Sequence, residues 1–78
     1  MSGKPRPKPC FLDRFEVWKV VSGRKVWRND NGTRHYTWDS LHGEIKVFDR
    51  RGWHLGALDA VTGRLVKQAE KGRKLNVR

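Results

Sequence analysis

The stretch Lys25-Val26-Trp27-Arg28-Asn29-Asp30-Asn31-Gly32-Thr33-Arg34-His35-Tyr36-Thr37-Trp38 decides the fold. Two short runs rich in aromatic and β-branched residues flank Asn29 to Gly32, where Asn and Gly tolerate positive φ, so the spacing predicts a hairpin. Outward from it the same grammar repeats. Asp39 to Gly43 breaks the chain and Glu44 to Phe48 reads as the next strand. Asp49 to Gly52 turns, and Trp53 to Leu58 returns. Asp59 to Gly63 turns again into Arg64 to Lys67. Closely spaced turns between short strands predict a small twisted antiparallel meander.

Upstream, Phe11, Phe15 and Trp18 fall at helical spacing with Asp13 as an N-cap, although Phe15, Val17, Val20 and Val21 also suit a strand. The expectation is a short helix from Phe11 to Val21, ended by Ser22-Gly23. The fold class is therefore mainly β (small α+β): a helical element, then the sheet. Residues 1–10 alternate Lys4, Arg6 and Lys8 with Pro5, Pro7 and Pro9, an extended basic arm or linker before a single domain over 11–78. The basic tail from Glu70 to Arg78 is expected to be loosely held.

Charge limits the function. Lys and Arg number 18 against 8 Asp and Glu, a net charge of +10 on 78 residues. Such an excess favours a polyanion, because each cation that neutralises a phosphate releases counterions. No long apolar run is present to enter a membrane, and the polar first residues do not read as a signal peptide. A soluble chain acting in the cytoplasm is expected. The four Trp residues read first as core and second as stacking surfaces for bases. The single cysteine, Cys10, excludes an internal disulfide. Cys10 with His35, His42 and His54 lacks any Cys-x-x-Cys or His-x-x-x-His pair, so no metal or other cofactor is expected.

Alternation along residues 42–48 sends Ile45 and Val47 to one face, and His42, Glu44, Lys46 and Phe48 to the other. The second face carries an imidazole, a carboxylate and an ammonium, with Asp39 just before them. RNA cleavage by the 2′-hydroxyl needs a base, an acid and a cation beside the phosphorane. Imidazole titrates near neutrality, which makes His42 the leading acid or base. Asp39 could orient it, Glu44 could act as base, and Lys46, Lys67 or Arg73 could supply charge. The plainer alternatives are a surface histidine, a carboxylate capping a bend and an exposed strand pair worth little.

The run Tyr36-Thr37-Trp38-Asp39-Ser40-Leu41-His42-Gly43-Glu44-Ile45 resembles the signature of the colicin-type cytotoxic ribonuclease domain. Trp27, Asp30, Gly32, His54-Leu55-Gly56, Asp59, Thr62-Gly63, Lys67 and Arg73 extend the likeness over about two thirds of the chain, leaving residues 1–24 outside it. The resemblance implies a twisted antiparallel sheet after a short helical element. It also implies metal-free transesterification of 16S ribosomal RNA in the decoding centre, yielding a 2′,3′-cyclic phosphate. By its motif, Asp39, His42 and the phosphate-binding Arg73 are catalytic, His42 as general acid, and Tyr36, His54 and Lys67 lie against the substrate. The reading of the open face adds Glu44 to the catalytic set and Lys46 to the substrate-binding set. An acidic immunity protein or antitoxin is the implied partner. The chain departs from the family at Lys46, where a second glutamate, often assigned as general base, is usual. That leaves open whether Glu44 or Asp39 takes the proton, His42 serves as base with Lys46 on the phosphorane, or the site is impaired. Three readings stay open: a ribosome-inactivating ribonuclease, an RNA- or ribosome-binding module without chemistry, and a nuclease for other RNA.

Overall fold

The structure, a computed structural model, describes residues 3–75 and residue 77. A 3-10 turn at Phe11–Arg14 precedes β1 (Glu16–Val21), β2 (Arg24–Arg28), β3 (Arg34–Asp39), β4 (Glu44–Asp49), β5 (His54–Asp59) and β6 (Leu65–Gln68). The strands pair antiparallel in chain order within one six-stranded sheet. Extents of 28 × 26 × 25 Å show that this sheet is coiled rather than flat. That follows from the right-handed twist of strands, sharpened where β-bulges add a residue. No helix among the described residues is long and apolar enough to cross a membrane.

The helix expected from Phe11 to Val21 is confined to its first turn. β-branched Val17, Val20 and Val21 suit a pleated strand, and the hairpin partner β2 supplies a ladder, with Val17 opposite Trp27 and Val20 opposite Lys25. Asp13 is also not the N-cap. It is the third residue of the turn, and its Oδ2 accepts the Cys10 N–H at 2.9 Å.

One face of the sheet holds the core. Leu12, Trp27, Tyr36, Ile45, Val47, Leu58 and Cys10 pack there, with Phe11, Phe15, Trp38 and Leu55 around them. Leu12 and Ile45 lose all contact with solvent, each contributing about 2 kcal/mol from the apolar area removed from water. Tyr36 stacks on Phe15 at 4.4 Å between ring centroids and meets Phe11 edge-on at 6.3 Å.

The arm at Lys4 and the tail as far as Leu75 both lie against the sheet. In the arm, the Lys4 N–H donates to the Ser40 carbonyl at 2.7 Å, and the Trp38 indole N–H donates to the Lys4 carbonyl at 2.9 Å. The tail is held rather than loose across Glu70 to Leu75. The His54 N–H donates to the Arg73 carbonyl at 3.1 Å, and the Leu75 N–H to the Gly52 carbonyl at 2.7 Å. Asn76 and Arg78 lie outside the described residues.

Candidate active site

The face opposite the core is a groove built from cross-strand rows. Asp39 sits opposite Glu44, and Thr37 opposite Lys46. Lys46 in turn faces Ala57, and Ala57 faces Lys67. Ala57 is the small residue that leaves room between the two lysines. A concavity of about 320 Å³ results, lined by Asp39, His42, Glu44, Lys46, His54, Lys67 and Arg73 among others.

Asp39 organises the loop that follows it. Its Oδ1 accepts the N–H groups of Leu41 and His42 at 3.1 and 3.3 Å, and its carbonyl accepts the Gly43 N–H at 2.8 Å. Gly43 closes the bend at φ +68°, and a β-carbon there would press on the Lys4 side chain. The Oδ2 atom lies 2.7 Å from His42 Nδ1 and 3.7 Å from Lys46 Nζ. Burial works to raise the Asp39 pKa, but the bonds from the His42 ring and backbone, with the Lys46 charge, outweigh it and hold the carboxyl below its ordinary value. The acceptor is therefore a carboxylate and Nδ1–H the donor, which leaves His42 Nε2 as the atom that takes and gives protons. The imidazole is half exposed at 50 %, so this atom stays open to a substrate.

Glu44 is paired with Lys67 at 2.9 Å, and Arg73 with Glu70 at 3.0 Å. Ligand-type atoms of Asp39, His42 and Glu44 all lie within 4.8 Å of one another, a spacing that admits a cation. Lys46 and Lys67 already neutralise the two carboxylates there, so the donor set is poorly suited to one.

His54 reaches the groove through a bulge. It lies an odd number of residues from Ala57, so strict alternation would turn it to the core. Val47 pairs with Gly56 and Phe48 with His54, which makes Leu55 the extra residue, and His54 swings onto the groove side. The ring stands edge-on to Phe48 at 5.5 Å. Its Nδ1 accepts the Glu70 N–H at 2.9 Å, so the neutral ring carries its proton on Nε2, which is buried without a partner among the described residues. Ring and backbone of His54 thus clasp both ends of the turn that carries Arg73. Burial, aided by the Arg73 and Lys46 charges and opposed by Glu70, pushes the His54 pKa down.

The structure does not bring Tyr36 into this groove. An odd spacing from Asp39 along a strand without a bulge places it on the core face, 6 % exposed, where burial raises its pKa against the opposing charge of Arg34. The groove adds Arg24, Leu41 and Glu70, which sequence reasoning missed. Glu70 had a weak signal as the one acid in a basic tail; Arg24, at the start of β2, had none.

The groove on this twisted meander therefore sets a carboxylate–imidazole pair among several cations. The sequence profile of the family described as Cytotoxic matches residues 14–76, reaching further upstream than the motif resemblance. The chain is 40 % identical over 53 residues to colicin E3 of Escherichia coli, and 40 % and 36 % identical over the same length to cloacin and colicin-E6 of that organism. These alignments cover 67 % of this chain, which spans about a tenth of each relative's length. The chain belongs to the colicin-type cytotoxic ribonuclease family.

Proposed function

We propose that this domain is an endoribonuclease toxin that cleaves 16S ribosomal RNA of the small subunit without a metal. The substrate 2′-oxygen attacks phosphorus while the bond from phosphorus to the 5′-oxygen breaks. Glu44 accepts the 2′ proton, and His42 Nε2 delivers a proton to the departing 5′-oxygen. Lys46 and Arg73 lie on the phosphorane charge. Products are a 2′,3′-cyclic phosphate and a 5′-hydroxyl, and solvent exchange resets both groups. The carrying observation is the 2.7 Å contact of His42 with Asp39 in a groove lined by Lys46, Lys67 and Arg73.

A net charge of +10 supports two further parts of the reading. It suits ribosomal RNA, and it suits an acidic immunity protein steered by opposite charge. The site of action is the bacterial cytoplasm, reached as part of a larger delivered toxin, and the domain acts as a monomer apart from its inhibitor. Incubation of bacterial ribosomes followed by end-mapping should yield one discrete 3′ fragment of small-subunit RNA. Intact RNA at high dose overturns the reading.

Lys46 favours a second reading, a ribosome-binding module of the same fold with impaired chemistry, because its ammonium stands where the family's second carboxylate is usual. Salt-sensitive ribosome binding without cleavage, and cleavage gained by Lys46→Glu, select that reading.

A further inference from the structure

A second concavity, of about 240 Å³, lies beside the groove and is lined by Arg6, Arg24, Lys25, Trp27 and Trp38. Three cations and two indoles with no carboxylate is the composition that holds single-stranded nucleic acid, aromatic faces taking bases and cations tracking phosphates. Arg24 lines both this concavity and the catalytic groove.

The sheet register makes the connection. β2 and β3 pair only at Trp27 with Tyr36 and at Arg28 with His35. Further along, the start of β2 and the end of β3 diverge, so Arg24 stands at the fork between them, with Trp38 and Asp39 on the other arm. The basic N-terminal arm completes the far wall. Its backbone is fixed at Lys4 by Ser40 and the Trp38 indole, and the Arg6 guanidinium lies 5.0 Å from the Trp27 ring centroid. Among the described residues, the acid that pairs with these cations is Asp13, 4.0 Å from Arg6 and partly exposed, a weak pair that a phosphate can replace.

We propose that this concavity is a flanking-nucleotide subsite. It takes a nucleotide of the RNA strand outside the scissile step, with its base against Trp38 and its phosphates on Arg6, Arg24 and Lys25. Arg24 hands the strand from the cleavage groove through the fork. This deepens the ribonuclease reading and rests on it. It gives the arm a role in substrate recognition, where the alternation of prolines and cations alone allowed a simple linker.

The test compares uncleavable 2′-O-methyl oligonucleotides of two and six residues, binding followed by tryptophan fluorescence at several salt concentrations. The wild-type domain should gain roughly tenfold or more in affinity on lengthening, from one stacked base plus added phosphate pairing. In Arg6→Ala/Lys25→Ala that gain should vanish, and the log K against log salt slope for the longer strand should shrink by about 1.4, near 0.7 for each phosphate no longer neutralised. Lys25→Arg should keep the gain, and Trp38→Phe should reduce the fluorescence change. A gain and slope unchanged in the double variant, or no gain in the wild type despite dinucleotide binding, overturn the subsite. Failure of the wild type to cut ribosomal RNA overturns the ribonuclease reading itself, whereas a domain that cuts ribosomal RNA yet binds neither probe overturns the subsite.

Discussion

The Nδ1 atom of His42 lies 2.7 Å from Oδ2 of Asp39 across a loop that the same carboxylate ties down through two backbone N–H groups. One side chain therefore sets both the tautomer and the position of the imidazole. His42→Ala and Asp39→Ala should each lower ribosomal RNA cleavage about 100-fold or more, the usual scale of general acid–base catalysis. Fragment yield under single-turnover conditions measures it. Wild-type rates in His42→Ala would remove that residue from the mechanism.

Lys46 separates the two functional readings. As a phosphorane-stabilising cation it should matter to turnover, so Lys46→Ala should cut kcat about 10-fold or more while ribosome binding falls little. If Lys46→Glu instead raises cleavage, the substitution is the cause of an impaired site.

Tyr36→Phe should leave cleavage within about twofold, because the ring serves the core against Phe15 and Phe11 rather than the groove. Assays of cleavage beside a thermal melt decide this. A large loss of kcat with unchanged stability would return Tyr36 to the substrate side.

Acid should destabilise the fold in two windows. Folding depresses the His54 pKa below its ordinary 6.5. Below that value the unfolded chain takes up a proton more readily, so stability present above pH 6.5 declines as pH falls toward the folded pKa. Protonation also replaces the acceptor at Nδ1 with a donor facing the Glu70 N–H, which loosens the turn carrying Arg73. The lowered pKa of Asp39 adds a second window: the stabilisation it contributes is present above its ordinary 3.8 and is lost as pH falls through the folded value. In His54→Asn, whose side-chain oxygen accepts without titrating, melting curves between about pH 7 and 5 should shift less than in the wild type. Equal shifts in both proteins would argue against the clasp.

Ile45→Ala should cost about 2–5 kcal/mol, since Ile45 is wholly buried at the centre of the core. Urea denaturation measures it, and a cost under about 1 kcal/mol would mean that the core collapses around the gap.

Turn chemistry determined most of this protein from its sequence. Asn29 to Gly32, Asp39 to Gly43, Asp49 to Gly52 and Asp59 to Gly63 delimited five of the six strands, because these residues allow backbone angles that strands cannot use. Period-two alternation likewise put Glu44 and Lys46 on one face, whereas His42 lies in the turn before β4 and reaches that face through its bonds to Asp39. Tertiary structure decided the rest, for reasons local pattern cannot carry. Phe11 to Val21 suited two periodicities, and only the ladder offered by β2 chose the strand. A bulge at Leu55 reversed the parity that would have buried His54 in the core. Coiling of the sheet then set Arg24 and Arg73 around one groove and the arm on the concavity that shares Arg24, a long-range closure that depends on hydrogen-bond register rather than on neighbours in the chain.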